Sequence, residues 1–504
     1  MKIDEEKIKE WRQKKSLKIR GTSILYQVVT QEIPFCDDGQ VIATAVTYSY
    51  IKEDTMPEKR PVLFAYNGGP GSSSVWVHLG LLGTMRVKIK EDSEVNPSVS
   101  GPYEIEENPY SILDVADVVI LDPPGCGFGQ IVDEAKAQAC FGVCSDAYCA
   151  AKIIEKWLTD QGRYSSPKYL LGESYGTVRT CMLLRELMGG PMSSSHQLLA
   201  IPVDGVIMMG TAILMEPFKN ECLVEPSVLQ LIGMTATRLY HRPLSKKEQD
   251  LWKNAGFPIP NEEENWEESL ANALWEFAAN RYLPALFMGN NLKGTKREEM
   301  ITLLSLLTGV SVSFLDSHNL AISPDTFRRE CLRDKNLEVG AYDSRYTMEK
   351  TLEWNDPVAD DPAMGQYTPI YVGAMNDAMR TFLGMEKERQ IPYRGIDFTI
   401  NGRWEYETGE KPEQCLVAAM RRNKNMRALF MTGLYDLVTP PGNVRYLVSH
   451  QNLPKDRVIV REYTSGHMPY MGKEAAKKVS EDLRNFLCGS SGLGKECHEK
   501  EIGL

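Results

Sequence analysis

The sequence predicts an α/β protein with a mainly parallel central sheet, helices on both faces and a helical insertion. Largely apolar strand candidates lie at residues 61–66, 117–121 and 203–210, and helical patterns separate them. Strands that alternate with helices are typical of parallel sheets. A glycine-flanked serine, Ser174, stands where another strand candidate gives way to a helical pattern.

The pattern changes between about residues 214 and 425, where long amphipathic segments replace the strands. Strand candidates return at 427–431 and 457–461, followed by a final helical pattern. We therefore predict a core built from residues 1–213 and 426–504, with residues 214–425 inserted as a helical cap.

Composition describes a globular protein and bounds its partners. The chain has 504 residues, of which 42% are hydrophobic and 25% charged, the ordinary range for globular domains. Its net charge of −11 and its lack of a long basic run argue against a nucleic-acid partner. The composition favours a peptide or small-molecule substrate and carries no indication of oligomeric state.

Several absences in the sequence predict a cytoplasmic protein, if Met1 is the native start. No apolar run of about 18 residues is present to span a membrane. The first 15 residues, MKIDEEKIKEWRQKK, lack the apolar centre of a signal peptide. The 11 cysteines include no CxxC pair, and no glycosylation sequon occurs.

The first 52 residues predict a charged arm followed by an antiparallel hairpin. Residues 1 to about 20 are charged throughout, with Trp11 as their one large apolar anchor, and we predict an exposed helix or arm there. Residues 22–52 alternate with period two, and CDDG at 36–39 suits the turn of a hairpin.

Residues 67–74, NGGPGSSS, directly follow the strand candidate at 61–66. Three glycines and a proline cannot continue a strand, so the main chain must turn sharply there. A phosphate-binding loop is the alternative, but the required GxxxxGK followed by Ser or Thr is missing. Residues 122–129, DPPGCGFG, lack a dinucleotide fingerprint, because Gln130 stands where glycine is needed. After them, residues 145–162 predict a helix capped by its first serine.

Residues 168–177, KYLLGESYGT, have the layout of a nucleophile elbow. An apolar strand ends at Gly172, Ser174 follows, and a helical pattern begins after Gly176. A serine on such a strained turn between strand and helix is the nucleophile of α/β-hydrolases, and the loop after an earlier strand supplies an oxyanion-hole amide. The alternative is a structural turn serine.

A serine nucleophile needs a base, and the base needs an acid to orient it. In α/β-hydrolases both follow the serine in the chain. His467 follows the strand candidate at 457–461 by a short loop and is the favoured base. His450, on a helical stretch, and His498, in the polar tail, are the alternatives.

The favoured acid is Asp436, which stands one loop turn after the strand candidate at 427–431. Since the neighbouring strand leads to His467, the two side chains are expected to meet at one edge of the sheet. A solvated carboxylate or a helix cap is the alternative for Asp436.

Four blocks of the sequence resemble the signatures of the serine carboxypeptidases in order and spacing: NGGPG at 67–71, GESYG at 172–176, GLYD at 433–436 and GHMP at 466–469. The resemblance implies Ser174 as nucleophile, His467 as base and Asp436 as its orienting acid. It also implies an oxyanion hole formed by the amides of Gly69 and Tyr175. Residues 339–347 and 367–383 further resemble bacterial members of that family.

The resemblance implies a substrate-binding role for Asn67, Gly68 and Glu173, and it implies that Asn67 and Glu173 hold the terminal carboxylate of a peptide. Two departures stand out. Ala65 replaces the family's usual tryptophan, which bears on carboxylate binding, and Ser72 replaces its usual cysteine, which fits an intracellular member.

The prediction is thus a serine-type carboxypeptidase that releases C-terminal residues through an acyl-enzyme. No cofactor is expected, because HExxH and clustered Cys/His ligands are missing. One alternative is an esterase or acyltransferase with the same triad, in which Glu173 has no evident task. Another is a non-catalytic binding protein, which would be expected to have lost a triad residue.

Overall fold

The computed structural model describes residues 1–89, 100–191, 193–194, 196–214, 226–262, 265–350, 356–385 and 391–489. Its strands are β1 (Lys2–Ile3), β2 (Lys9–Ile19), β3 (Thr22–Asp37), β4 (Gln40–Lys52), β5 (Val62–Tyr66), β6 (Met85–Val87), β7 (Ile105–Glu107), β8 (Asp117–Asp122), β9 (Gln130–Ile131), β10 (Lys168–Glu173), β11 (Gly205–Met209), β12 (Leu337–Val339), β13 (Thr347–Glu349), β14 (Arg427–Gly433) and β15 (Val458–Tyr463).

Its α-helices are α1 (Val75–Val77), α2 (Val143–Asp160), α3 (Tyr175–Met188), α4 (Pro226–His241), α5 (Lys246–Asn254), α6 (Trp266–Phe277), α7 (Leu283–Met288), α8 (Thr295–Thr308), α9 (Val312–Ser317), α10 (Pro324–Glu330), α11 (Met364–Asn376), α12 (Ala378–Phe382), α13 (Phe398–Asn401), α14 (Pro412–Arg422), α15 (Pro441–His450) and α16 (Lys473–Cys488). None of the helices in the described ranges is long and apolar enough to cross a membrane.

In the described part of the chain, eleven strands form one sheet. Its main path runs in the order β1-β3-β4-β8-β5-β10-β11-β14-β15, while β2 pairs with β3 and β9 with β4. All pairs from β8 to β15 along this path are parallel. The N-terminal strands add antiparallel pairs at the other side. This topology confirms the predicted α/β fold and places the carboxyl ends of six parallel strands at one edge.

Apolar clusters cover both faces of the sheet. Successive residues of β10 point to opposite faces, as strand geometry requires: Leu171 belongs to one cluster and Leu170 to the other. The first cluster holds α11, α12 and α16, and Trp76 lies within it. The second holds α2, α3 and α14, with Trp157 fully buried. Helices on both faces are the arrangement that buries a parallel sheet.

The N-terminal segment is a strand, so the prediction of a charged helix or arm is wrong. β2 pairs antiparallel with β3 over its whole length, from Lys9 to Ile19. Alternate residues face inward, with Leu17 and Ile19 buried. The alternation of apolar and polar residues that is typical of a strand is not evident in the sequence, because the charged residue Lys15 holds one of the inward positions. Its ammonium group lies 4.3 Å from the ring centre of Phe382, an attractive contact for a cation.

The helix predicted to start at Ser145 begins two residues earlier, as α2, with Gly142 at its N-cap and no side-chain cap. A bond to a distant segment sets this start, because the amide of Val143 donates to Glu405 O at 2.9 Å. Asp146 therefore lies inside the first turn of the helix, where it is buried.

The range 214–425 is largely helical where it is described, and also contains the antiparallel pair β12–β13. Helices α4 to α10 contribute to a third apolar cluster, which includes Leu231, Trp252 and Leu304. Helices α11, α12 and α14 instead join the two clusters at the sheet. The boundaries at 214 and 425 stay a prediction, since helices within them belong to three clusters.

Replacing Leu17 by alanine tests the position of β2. Leu17 is buried in the first cluster, so its truncation should lower the free energy of unfolding by about 2 to 5 kcal/mol. Leu25 on β3 is 56% exposed, and Leu25→Ala should change the free energy of unfolding by less than about 0.5 kcal/mol. Urea unfolding measures both, and equal small effects would mean that β2 is not packed on the sheet.

Candidate active site

Ser174 lies at the turn between β10 and α3, where the spacing of glycines predicts it. Its backbone angles are φ 60° and ψ −128°, a conformation that non-glycine residues rarely adopt. Its amide donates to Met209 O on β11 at 2.9 Å, which ties the turn to the neighbouring strand. Strained residues of this kind persist where the surrounding structure over-determines them, as at active sites.

Two glycines make this turn possible. A Cβ atom on Gly172 would lie 2.1 Å from Gly176 O, and one on Gly176 would lie 3.0 Å from Tyr66 O on β5. The first distance excludes any side chain, because β10 and the first turn of α3 are in direct main-chain contact. Ser174 is nevertheless half-buried rather than buried, so part of the residue is accessible to solvent.

Asp436 and His467 meet on the loops that follow β14 and β15. His467 Nδ1 lies 2.9 Å from Asp436 Oδ2. Since a carboxylate only accepts hydrogen bonds, the Nδ1 atom carries the proton. His467 is 5% exposed and Asp436 fully buried. Burial lowers the pKa of His467, but the negative charge and hydrogen bond of Asp436 outweigh it, so the pKa lies above its usual value.

Thr439 is a third member of this group that the sequence analysis missed. Its hydroxyl donates to Asp436 Oδ2 and lies 3.0 Å from His467 Nδ1. The other oxygen, Oδ1, accepts the amides of Val438 and Thr439 at 2.8 Å each. A threonine three residues after an aspartate is the available signal, since such side chains often cap their own turns.

The end of β11, at Met209 and Gly210, neighbours both the main chain of Ser174 and the ring of His467. Gly210 follows Met209, which accepts the Ser174 amide, and a Cβ atom on it would lie 3.0 Å from His467 Cε1. The alternative base His450 lies exposed at the end of α15, stacked on Tyr446. His498 lies outside the described residues.

The predicted oxyanion loop packs against the start of α3. A Cβ atom on Gly68 would lie 2.4 Å from Tyr175 N and 2.6 Å from Gly176 N. Gly69 follows as an exposed residue with φ +102°. Tyr175 is the first residue of α3, where main-chain amides point out of the helix end. The loop and the helix end therefore lie side by side at Ser174.

Asn67 and Glu173 form a buried pair beside the nucleophile. Asn67 Nδ2 donates to Glu173 Oε1 at 2.6 Å, and Val77 N donates to Asn67 Oδ1 at 3.0 Å. Each side chain is 3% exposed. Because a side-chain amide carries two N–H bonds, Asn67 retains a second donor for a ligand.

One oxygen of Glu173 lacks a hydrogen bond of normal geometry. Among the described residues, the same is true of the Tyr470 hydroxyl, although the two groups lie close enough for Tyr470 to donate weakly to the carboxyl group. Buried polar atoms of this kind are rare and call for an explanation. Burial raises the pKa of Glu173 to about 7, although His467, Tyr470 and Asn67 oppose that rise. Near neutral pH this carboxyl group therefore exists in both protonation states.

A short segment from the range predicted as an insertion, residues 341–344, bridges the two loops of the acid and the base. Leu437 N donates to Ala341 O at 2.9 Å, and His467 N donates to Tyr342 O at 2.6 Å. The Tyr342 ring packs edge to face with the His467 imidazole at 5.3 Å between centres. The resemblance of residues 339–347 to bacterial members was the only sequence signal for this contact.

The chemistry available here is that of a serine, an imidazole and a carboxylate. Within the described ranges, no group of three or more His, Cys, Asp or Glu side chains is arranged to hold a metal ion. The structure brings Asp436 and His467 into contact, Asn67 and Glu173 into contact, and Gly68 against the main chain of Tyr175.

Comparisons with known proteins show the family and the fold. Residues 43–485 match the family model described as serine carboxypeptidase. Serine carboxypeptidase-like 8 of Arabidopsis thaliana is 26% identical over 230 residues, which are 40% of this chain and 50% of that protein. Serine carboxypeptidase-like 7 of the same plant is 30% identical over 158 residues, which are 30% of this chain and 33% of that protein. The aligned region thus spans half or less of these relatives.

Among solved structures, the chain is similar to Kex1(delta)p, a prohormone-processing carboxypeptidase from Saccharomyces cerevisiae. The TM-score is 0.54 at 13% identity, and the alignment covers 93% of this chain and 91% of that one. This likeness shows a shared fold. Because the family model spans most of the chain, with the glycine-bounded serine, the aspartate and the histidine inside it, the protein belongs to the serine carboxypeptidase family.

Proposed function

We propose that the protein is a serine carboxypeptidase that releases C-terminal residues from peptides through an acyl-enzyme. The observation that carries this proposal is the buried Asn67–Glu173 pair directly beside Ser174. An endopeptidase or a general esterase has no need of a buried, partly unsatisfied carboxyl group at that position. An enzyme that binds the free C-terminal carboxylate of its substrate does need such a group.

In the proposed reaction, the Ser174 hydroxyl attacks the carbonyl carbon of the last peptide bond. His467 Nε2 accepts the hydroxyl proton, while Nδ1–H remains bonded to Asp436 and stabilises the imidazolium. The amides of Gly69 and Tyr175 would hold the oxyanion. His467 then protonates the leaving amine, and the peptide remains as an ester on Ser174. Water attacks that ester with His467 again as base, which regenerates the serine.

Recognition of the C-terminus follows from the unsatisfied groups. The second N–H of Asn67 and a protonated Glu173 can each donate a hydrogen bond to the terminal carboxylate. Two carboxyl groups in one small site cannot both be ionised at modest cost. The raised pKa of Glu173, about 7, lets it keep its proton in mildly acidic solution.

The second candidate is an esterase or acyltransferase that uses the same three residues. The accessible Ser174 and the Asp436–His467 pair serve it equally well. It leaves Glu173 without a task, and for that reason we place it behind the carboxypeptidase.

We also propose that the protein works in a reducing compartment such as the cytoplasm. None of the nine cysteines in the described residues forms a disulfide. The buried thiols of Cys140 and Cys149 lie close enough for Cys140 to raise the pKa of Cys149, yet they form no disulfide, which is the state that reducing compartments maintain.

Combining substitutions tests whether the three residues act as one unit. A fluorophosphonate should label Ser174, and Ser174→Ala should lower kcat by a factor on the order of 10⁴ to 10⁶. Adding His467→Ala should cost little more, since neither residue works without the other. Steady-state kinetics measure both variants. Labelling that persists in Ser174→Ala would show that another residue is the nucleophile.

The pH dependence of peptide hydrolysis tests Glu173. Below its pKa of about 7, the carboxyl group is protonated and donates to the substrate carboxylate. Above that pKa it is ionised and repels the substrate. Because peptide hydrolysis also needs His467 without its proton, we expect kcat/KM for a free-acid peptide to pass through a maximum and to fall as pH rises above about 7. Glu173→Gln keeps a donor that cannot ionise, so its kcat/KM should not fall.

The matched control is a C-terminally amidated or esterified peptide, whose rate should rise with pH as His467 loses its proton. In Glu173→Gln that rise should move to lower pH, since the charge of Glu173 helps to raise the pKa of His467. If wild type and Glu173→Gln show the same dependence of kcat/KM on pH with free-acid peptides, the esterase or acyltransferase becomes the favoured function.

Gly68→Ala tests the packing of the oxyanion loop. The added Cβ would lie 2.4 Å from Tyr175 N and must push the loop away from the helix end. We expect kcat on an ester substrate to fall about 10²-fold. Gly190→Ala is the control, because a Cβ there meets no atom within 4 Å, and it should keep wild-type kcat. Wild-type kcat in Gly68→Ala would mean that this loop supplies no donor.

A further inference from the structure

Arg179 and Asp146 form an ion pair buried beneath the nucleophile elbow. Arg179 lies one turn after Tyr175 on α3, and its Nε donates to Asp146 Oδ2 on α2 at 2.6 Å. The two residues are 1% and 2% exposed. The guanidinium also lies against the rings of Tyr66 and Tyr175, at 5.1 and 5.5 Å. Charges so deeply buried need several partners to be tolerated.

The second arm of Arg179 reaches the oxyanion loop. Its Nη1 donates to the main-chain oxygen of Asn67 at 2.6 Å. A guanidinium is a rigid planar fork, so the bond to Asp146 and the bond to Asn67 fix each other's direction. The helix that carries Ser174 at its start is therefore joined, through one side chain, to the residue that opens the loop.

The bond to Asn67 O bears on two parts of the site. It sets the orientation of the peptide unit between Asn67 and Gly68, and with it the path of the main chain to the Gly69 amide. It also fixes the backbone from which the Asn67 side chain extends toward Glu173. On the far side, the contact of Gly68 with Tyr175 N leaves the loop no room to move inward.

We propose that Arg179 is a positioning residue that holds the Asn67–Gly69 main chain in register with the amide of Tyr175, so that the two oxyanion donors converge. This inference rests on the proposed function of Ser174 and of the oxyanion loop. Arg179 itself is buried and touches no substrate. Its action is to keep the loop at the distance from α3 that a tetrahedral oxyanion requires.

The rival explanation is that Arg179 only stabilises the fold, and the chain supplies a matched control. Arg163 is also buried and joins a buried aspartate, Asp117, at 2.6 Å and a main-chain oxygen, that of Arg60, at 2.8 Å. Asp117 is the first residue of β8, so this group lies at the opposite edge of the sheet from Ser174.

The test compares Arg179→Lys with Arg163→Lys. Lysine keeps the charge beside the aspartate, but its single ammonium group cannot reproduce the planar two-arm contact. Kinetics on a peptide ester, which does not need the Asn67–Glu173 pair, separate the oxyanion hole from carboxylate binding. A peptide aldehyde, which forms a tetrahedral adduct with a serine nucleophile, reports directly on the oxyanion donors.

We expect Arg179→Lys to lower kcat on the ester about 10²-fold, the loss typical of a displaced oxyanion donor, with KM within about threefold of wild type. Its affinity for the aldehyde should fall by the same factor as kcat/KM. Arg163→Lys should lower Tm and leave both quantities at the wild-type level.

Unchanged kcat in Arg179→Lys, or an equal loss of kcat in Arg163→Lys, overturns the inference. If wild type itself neither hydrolyses the ester nor reacts with a fluorophosphonate at Ser174, the proposed function fails and the inference with it. Should Arg179→Lys not fold, the neutral double variant Arg179→Gln with Asp146→Asn carries the same expectation for kcat and aldehyde affinity.

Discussion

Main chain packed directly against main chain at the nucleophile elbow is the constraint on which the rest of the site depends. The β10–α3 turn contacts itself at Gly172 and Gly176, and the loop after β5 contacts it at Gly68. No side chain fits between β10, the start of α3 and the loop after β5. These three segments can therefore meet at Ser174 only because glycines stand at the contact points. Once they do, Glu173 is carried into the interior next to Asn67, and its burial gives it the pKa that the proposed recognition of a carboxylate uses.

The features that could be predicted from the sequence are those that depend on residues close together in the chain. Strand candidates at 61–66 and 427–431 correspond to β5 and β14, because strands buried on both faces are continuous apolar runs. The elbow was recognisable because its glycines and serine have fixed spacing. Asp436 and His467 were selected from loop position and chain order alone, and the structure places their side chains 2.9 Å apart.

What the sequence did not reveal depends on partners far along the chain. β2 looked like a charged arm because Lys15 owes its inward place to Phe382. Arg179 and Asp146 give no local signal, since each is an ordinary charged residue until α2 and α3 pack together. Thr439 and the bridge formed by residues 341–344 are visible only once the two loops meet. Longer-range contacts of this kind require the fold to be known first.

The bridge between the acid and base loops is made by carbonyl oxygens of Ala341 and Tyr342 rather than by side chains. Its bonds are therefore indifferent to which residues occupy these positions, provided that the length of the segment is kept. A substitution of Tyr342 would remove the ring contact with the His467 imidazole but leave the main-chain bond to His467 N in place. A single-residue deletion in the same segment would shift these carbonyl oxygens out of register with Leu437 N and His467 N, so the length of this stretch is what holds the acid and base loops together.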